Sequence, residues 1–333
     1  MVDAVGAQAR PFLEAAPPPD DDGEILVIQV DGGGAPHLDL AELQRRRQPH
    51  VRRTGTARLR RRARQRARQR PRRAKGDKSK NAKVAFVGVI YTLRRAADGT
   101  CEGPIHQRRY ATFASHAALF TWLHAEAVKR GDGTKRTLFL ADGAEAIWEQ
   151  HARWFPTAEP CIDWVHIVEK LWAAGRWLHR EGSDQLATWV ADRVRALRGR
   201  GGPDKVITTL ADAYAAIAKT GPGNKAKRAK VLEVLTHLRK HRQRMPDHAL
   251  RHDDLDIGTG AVEGAIRNLV RMRLDGPGMR WSRRRSECVL HLRCILRNGQ
   301  WDDFAAHLAH RPPLQLAATP TPTRSHAAAN RAA

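Results

Sequence analysis

Three carboxylates stand where a chain can present them rigidly. Asp31 follows the apolar run ILVIQV, Asp142 follows LFLA, and Glu263 lies in IGTGAVEGAIRNLV, which reads as the opening of a late helix. Phosphoryl-transfer sites built on Mg²⁺ use hard oxygen ligands on rigid elements, a few carboxylates completed by water. Two such ions, about 3.5–4 Å apart, stabilise the attacking and the leaving oxygen of an in-line displacement. Three carboxylates at the mouth of one sheet would supply that site. Each acid also has a purely structural explanation. Asp31-Gly32 suits a turn after a strand. Asp142, with Glu145 three residues on, fits a helix N-cap. Glu263 in a first helical turn is favoured by the helix dipole. The intervals of 111 and 121 residues are no motif in themselves.

Other chemistries find less support. The sixteen histidines are scattered and form no H-E-x-x-H, so zinc hydrolysis is disfavoured. The glycines at 32–34 and 199–202 lack the G-K-S/T ending of a phosphate loop. No G-x-S-x-G is present, and the four cysteines form no C-x-x-C pair.

The elements that would carry the three acids can be read from periodicity. Residues 1–24, with Pro17-Pro18-Pro19 and Asp20-Asp21-Asp22, read as a disordered leader without the features of a signal peptide. Continuous apolar runs at 25–30, 84–93 and 137–141 read as strands covered on both faces. Asp98-Gly99 marks a turn, 105–114 its hairpin partner, and Cys161-Ile162 one more short strand. Helical spacing is expected over 115–130 and 143–154. From Trp164 to Met245 the period stays at 3.6, and two last helices are expected at 260–273 and 283–297. The class is therefore α/β. Residues 25–163 form the first part of a core, 164–256 an all-helical insertion before the last acid, and 257–310 the helices that complete the core. The Pro/Thr/Ala-rich residues 311–333 read as a disordered tail. No run of roughly 18 apolar residues suggests a membrane span, and a reducing cytoplasm is the simplest location.

The net charge is +24, and +17 of it lies between Arg45 and Lys80, where fifteen Arg and three Lys face the single acid Asp77. Such a segment cannot bury a face of its own. It reads as a solvated loop on a nucleic-acid backbone, with Arg60, Arg61, Arg62 and Arg64 at its centre, or as a tolerated charged insertion. Arg271, Arg273, Arg280, Arg283, Arg284 and Arg285 follow Glu263 and suit the same role, or a solvated helix face. Trp148, Trp154, Trp164, Trp172, Trp177 and Trp189 read mainly as packing residues, with base stacking the lesser reading.

DIGTGAVEGAIRNLVRMRLDGPGMRWSRRRSECVLHLRCILRNGQWDDF resembles the signature of ISKra-type bacterial insertion-sequence transposases. These are relatives of the Mutator-like group, and their pattern is close to GSG-x-VE, R-x-x-x-x-GMRW, LR and W-x-x-F. Thr259 stands in place of the Ser. LFLADGAEAIWEQHARWFPTAEPCIDWVHIVEKLW is similar to the family's second-aspartate segment, and GDKSKNAKVAFVGVIYTL to its second strand with a basic lead-in. The resemblance implies an RNase H-like catalytic core, with Asp31, Asp142 and Glu263 holding two Mg²⁺ or Mn²⁺ ions. It implies cleavage and joining of DNA at transposon ends and target, and a homo-oligomer when active. Asp163-Trp164-Val165-His166 matches an accessory Cys-or-Asp, two residues, His signature of related families. Asp163 and His166 would then order the site or touch DNA; as residues alone they read equally as an N-cap and a surface histidine. Full-length relatives carry a sizeable region before the core, so a shortened N-terminus is expected here. A non-catalytic nucleic-acid binder, including a decayed transposase, and a structure-selective nuclease on the same fold are the alternatives.

Overall fold

The computed structural model describes residues 2–37, 82–255, 258–276, 279 and 281–311. Arg60, Arg61, Arg62 and Arg64, the rest of the Arg-rich stretch, Arg280, and the tail after 311 lie outside the described residues.

A mixed five-stranded sheet organises the described chain. β1 (Ile25–Pro36), β2 (Ala82–Arg95), β3 (Cys101–Thr112), β4 (Arg136–Ala141) and β5 (Glu159–Ile162) lie in the order β3-β2-β1-β4-β5. β1 pairs antiparallel with β2, and β2 antiparallel with β3. On its other edge β1 pairs parallel with β4, and β4 parallel with β5. The runs form strands because they pack apolar side chains on both faces; Leu26, Ile28, Ile90, Leu138 and Phe139 are fully buried.

Asp31 does not end its strand, contrary to expectation. β1 continues through Gly32–Pro36 along β2, with Asp31 opposite Val87. Only the parallel ladder to β4 stops, at Val30 opposite Ala141. Gly and Pro are poor strand formers, but β2 supplies the missing pairing, and Gly33 is needed for its lack of a side chain. A Cβ there would come within 2.9 Å of Ile266.

The leader is also corrected. Val2–Ala15 is a helix, α1, burying Gly6, Ala9 and Leu13 at helical spacing. A Cβ at Gly6 would collide with Cys288, so the glycine permits the close approach of α1 to the later helix α10 (Arg283–Arg297). After α1, Asp22 accepts from Arg130 Nη2 at 2.6 Å and from Thr92 Oγ1 at 2.5 Å, which ties the lead-in to the sheet.

α2 (His116–Lys129) is capped by Ser115, whose hydroxyl accepts from the Ala118 amide at 3.1 Å. It lays Leu119 and Leu123 over Gly88 of β2. α3 (Glu145–Trp154) follows β4. Between β5 and the last acid the elements are helical throughout: α4 (Trp164–Leu178), α5 (Asp184–Leu197), α6 (Gly202–Ala215), α7 (Asn224–Lys240), a short 3₁₀ turn and α8 (Asp247–His252). α4 to α7 pack each on the next, and α4 closes on α7. Their shared core includes Ile167, Leu171, Val190, Leu210, Val231 and Leu235. α9 (Gly260–Ile266) continues through a π-helical turn, Arg267–Arg271, into Met272–Leu274. A third C-terminal helix, α11 (Trp301–Ala309), was not expected; its Phe304 is buried against Phe12 of α1, ring centroids 5.2 Å apart. No helix among the described residues is long and apolar enough to cross a membrane.

Candidate active site

Strand periodicity puts Gln29, Asp31 and Gly33 on one face of β1. That face looks onto α9. Gln29, fully buried, donates to the Gly258 carbonyl at 3.1 Å and accepts from the Val262 amide at 3.0 Å. Ile266 and Val270 stand over Gly33. Asp31 lies between these two contacts, and Glu263 is the residue after Val262. The two acids accordingly line one cleft of about 440 Å³, together with Val165, His166, Glu169, Arg267 and Arg271.

Asp142 reaches the same region from the neighbouring strand. Val30 and Ala141 are the last paired residues of the β1–β4 ladder, so Asp31 and Asp142 follow directly on strands roughly 4.8 Å apart. Asp142 is not the N-cap of α3, which is Ala144. Its Oδ1 accepts from the Ala144 amide at 2.9 Å, and its carbonyl accepts from Trp148 Nε1 at 2.7 Å. Burial pushes the Asp31 carboxyl above its usual range, and the negative charges of Asp142 and Asp163 add to the rise against the pull of the Gly32 amide and His166. Asp142 is not itself among the residues lining the cleft. Among the described residues, no three His, Cys, Asp or Glu side chains are gathered at metal-binding spacing.

Asp163 joins these parts. Its side chain is fully buried. It caps α4 by accepting from the Val165 amide at 3.2 Å and the His166 amide at 3.4 Å, and it pairs with His166 Nδ1. The Thr259 amide donates to it at 3.3 Å, and the Thr259 hydroxyl reaches Glu263 Oε1 at 3.5 Å. Through its own amide, Asp163 donates to the Ala141 carbonyl at 2.8 Å, just before Asp142. It is therefore both a helix cap and a strut between the second and third acids. Burial alone would raise its carboxyl, but His166 and Thr259 hold it below the usual range. The bond to Asp163 in turn raises His166 to about 9, so the imidazole is cationic at neutral pH. A carboxyl raised by its acidic neighbours, a second carboxylate and a cation beside them can attract a divalent ion and a phosphodiester.

Of the late arginines, Arg271 lines the cleft, and Arg273 is exposed nearby. Arg283 donates to the Phe113 carbonyl at 2.9 Å, and Arg285 pairs with Asp3 at 3.1 Å. Arg284 lines a separate cavity of about 950 Å³ between α1 and α10, which shares no residue with the cleft. The tryptophans divide: Trp148 is buried, whereas Trp177 is 44% exposed.

Sequence reasoning missed Gln29, Thr259, Arg267, Glu169 and His237. The one signal for Gln29 was a polar residue inside an otherwise apolar strand. His237 of α7 is packed so closely on Gly143 that a Cβ there would collide with its ring. Burial lowers its pKa, and Lys170, Asp142 and His166 lie near enough to act on it. Comparison with models of protein families found no match, and no curated protein matches the chain.

Proposed function

We propose that this chain is a DNA transposase of the Asp-Asp-Glu type, on an RNase H-like core interrupted by the helical block α4–α8. The observation that carries the reading is the meeting of Asp31 and Glu263 in one cleft, with Asp142 following on the adjacent strand. The strand order β3-β2-β1-β4-β5, antiparallel on one side of β1 and parallel on the other, supports the core assignment. An all-carboxylate donor set suits Mg²⁺ or Mn²⁺. The raised Asp31 carboxyl fits such an ion as well, because a cation there would relieve its repulsion from Asp142 and Asp163. Asp31, Asp142 and Glu263 would hold the ions. When bound, the ions supply Lewis-acid stabilisation of the oxygens that attack and leave the phosphorus. Thr259 orients Glu263, Asp163 fixes both Thr259 and His166, and the His166 imidazolium offers positive charge to a phosphodiester. Arg267 and Arg271 bind the DNA backbone along the cleft wall.

A second reading, binding without chemistry, is favoured by the absence of a gathered ligand trio among the described residues. One experiment separates the two. The chain is incubated with DNA carrying the element's ends, with Mg²⁺ and then with a chelator, and cleavage and strand transfer are followed on gels. Asp31→Asn, Asp142→Asn and Glu263→Gln should each abolish cleavage while binding is retained. A triple variant that still cuts would overturn the assignment, and a wild-type chain that binds without ever cutting would establish the second reading.

A further inference from the structure

Val165, Glu169, Trp172 and Arg176 recur at steps of four, three and four residues, so they share one face of α4. The stripe is about 16 Å long at the helical rise. Its first two members border the carboxylate cleft. Its last three line a second cavity of about 450 Å³. Glu169 borders both, so the two spaces meet at its side chain.

The chemistry of this second space selects its occupant. Trp172 is half-buried and presents an indole face, with the Arg176 guanidinium 5.9 Å from the ring centre. Arg176 is otherwise held only by an exposed pair with Glu181 at 3.4 Å. Glu169 would repel a phosphate placed beside it, but its carboxylate accepts from the amino groups on the edge of a base. A base stacks on any exposed aromatic face, and arginine adds a cation–π contact. In duplex DNA the base faces are already covered by their neighbours. Arg267 and Arg271 across the cleft supply backbone charge at the other end of the stripe.

We propose that this face of α4 is a track for single-stranded DNA leaving the cleft, with one unpaired base stacked on Trp172. The proposal rests on the transposase reading and extends it to the form of DNA held beside the site.

The test uses the full chain without divalent metal. The probes are a 12-nucleotide single strand carrying 2-aminopurine and a duplex of the same sequence. Trp172→Leu keeps apolar bulk without a ring, and Trp172→Phe keeps a ring. Wild type should quench the 2-aminopurine. Trp172→Leu should lose the quench and bind the single strand roughly 5- to 150-fold more weakly, with duplex binding and melting temperature unchanged. Trp172→Phe should retain most of both signals, and Trp177→Leu, off the stripe, should behave as wild type. A Trp172→Leu protein that binds and quenches like wild type overturns the track, as does equal loss of single-strand and duplex binding. If Asp31→Asn and Glu263→Gln are dead while Trp172→Leu is unchanged, the track falls and the site stands. If those variants cut as wild type does but Trp172→Leu loses the strand, the site falls and the track stands.

Discussion

Gln29→Leu should loosen α9 and leave the rest of the fold in place. The first turn of any α-helix carries amides without intrahelical partners. In α9 the N-cap residue Thr259 makes no side-chain capping bond, because its hydroxyl is turned toward Glu263. The Val262 amide is satisfied instead from outside the helix, by Gln29 Oε1 at 3.0 Å. Leucine fills the same space but leaves that buried amide unpaired, which costs about 1–3 kcal/mol, and the lost bond to the Gly258 carbonyl adds about 1 more. The sum, roughly 2–4 kcal/mol, corresponds to about 30- to 900-fold faster local opening. Hydrogen exchange read by mass spectrometry should show that acceleration in peptides covering 258–266, with α5 and α6 unchanged. DNA cleavage should fall alongside, because Glu263 rides on the loosened helix. Arg10→Ala is the control: it breaks an exposed ion pair with Glu14 and should cost no more than about 1 kcal/mol. Unchanged exchange in α9, or acceleration spread evenly over the whole chain, would refute the view of Gln29 as a cap carried on a strand.

Three further outcomes are expected. Gly33→Ala forces a methyl against Ile266 and should cost about 1–3 kcal/mol, whereas Gly34→Ala, with nothing within 4 Å of its Cβ, should leave the urea midpoint unchanged. Leu13→Ala should cost about 2–5 kcal/mol in urea unfolding, since Leu13 is 1% exposed; a loose leader would show no change. In acid, burial raises the Asp22 carboxyl but Arg130 and Thr92 hold it at about 2. Its contribution, about 2 kcal/mol, is complete above the ordinary carboxylate range and fades as pH falls through 2, so Asp22→Asn should flatten the acid limb of the stability curve. His166, held up near 9 by Asp163, works in the opposite sense. Its contribution is complete below the usual histidine pKa, about 6.5, and is lost as pH rises through 9. The effect is reduced by screening, since the side chain is 38% exposed, and His166→Gln should remove that alkaline slope.

Much of the sheet was legible because its strands are apolar on both faces, which produces uninterrupted runs. The extension of β1 was not, since GGGAP carries no strand propensity and is held by its pairing with β2. α1 was hidden by Pro11 inside it and by the Pro and Asp residues after it; packing on α10 and α11 stabilises it, and local sequence does not report packing. Asp31, Asp142 and Glu263 could be singled out because each follows or opens a recognisable element. The residues that hold them could not. Gln29 meets its partners 229 and 233 positions away, and Asp163 reads as an ordinary cap until Thr259 is seen to donate to it.

The π-helical turn at Arg267–Arg271 gives the cleft wall a dependence on chain length. Such a turn holds more residues than the α-helical turn it replaces. In an unbroken α-helix, Arg271 would stand roughly 80° round the axis from Glu263; the wider turn takes back part of that rotation, and Glu263, Arg267 and Arg271 face one cleft. Removing a single residue from this stretch would restore the ordinary winding and swing everything after it by about 100°. Leu274, now buried, would be carried off the core along with the cations. Exchanges of one side chain for another are mild here by comparison, and insertions or deletions of a single codon are the changes this wall is built to resist.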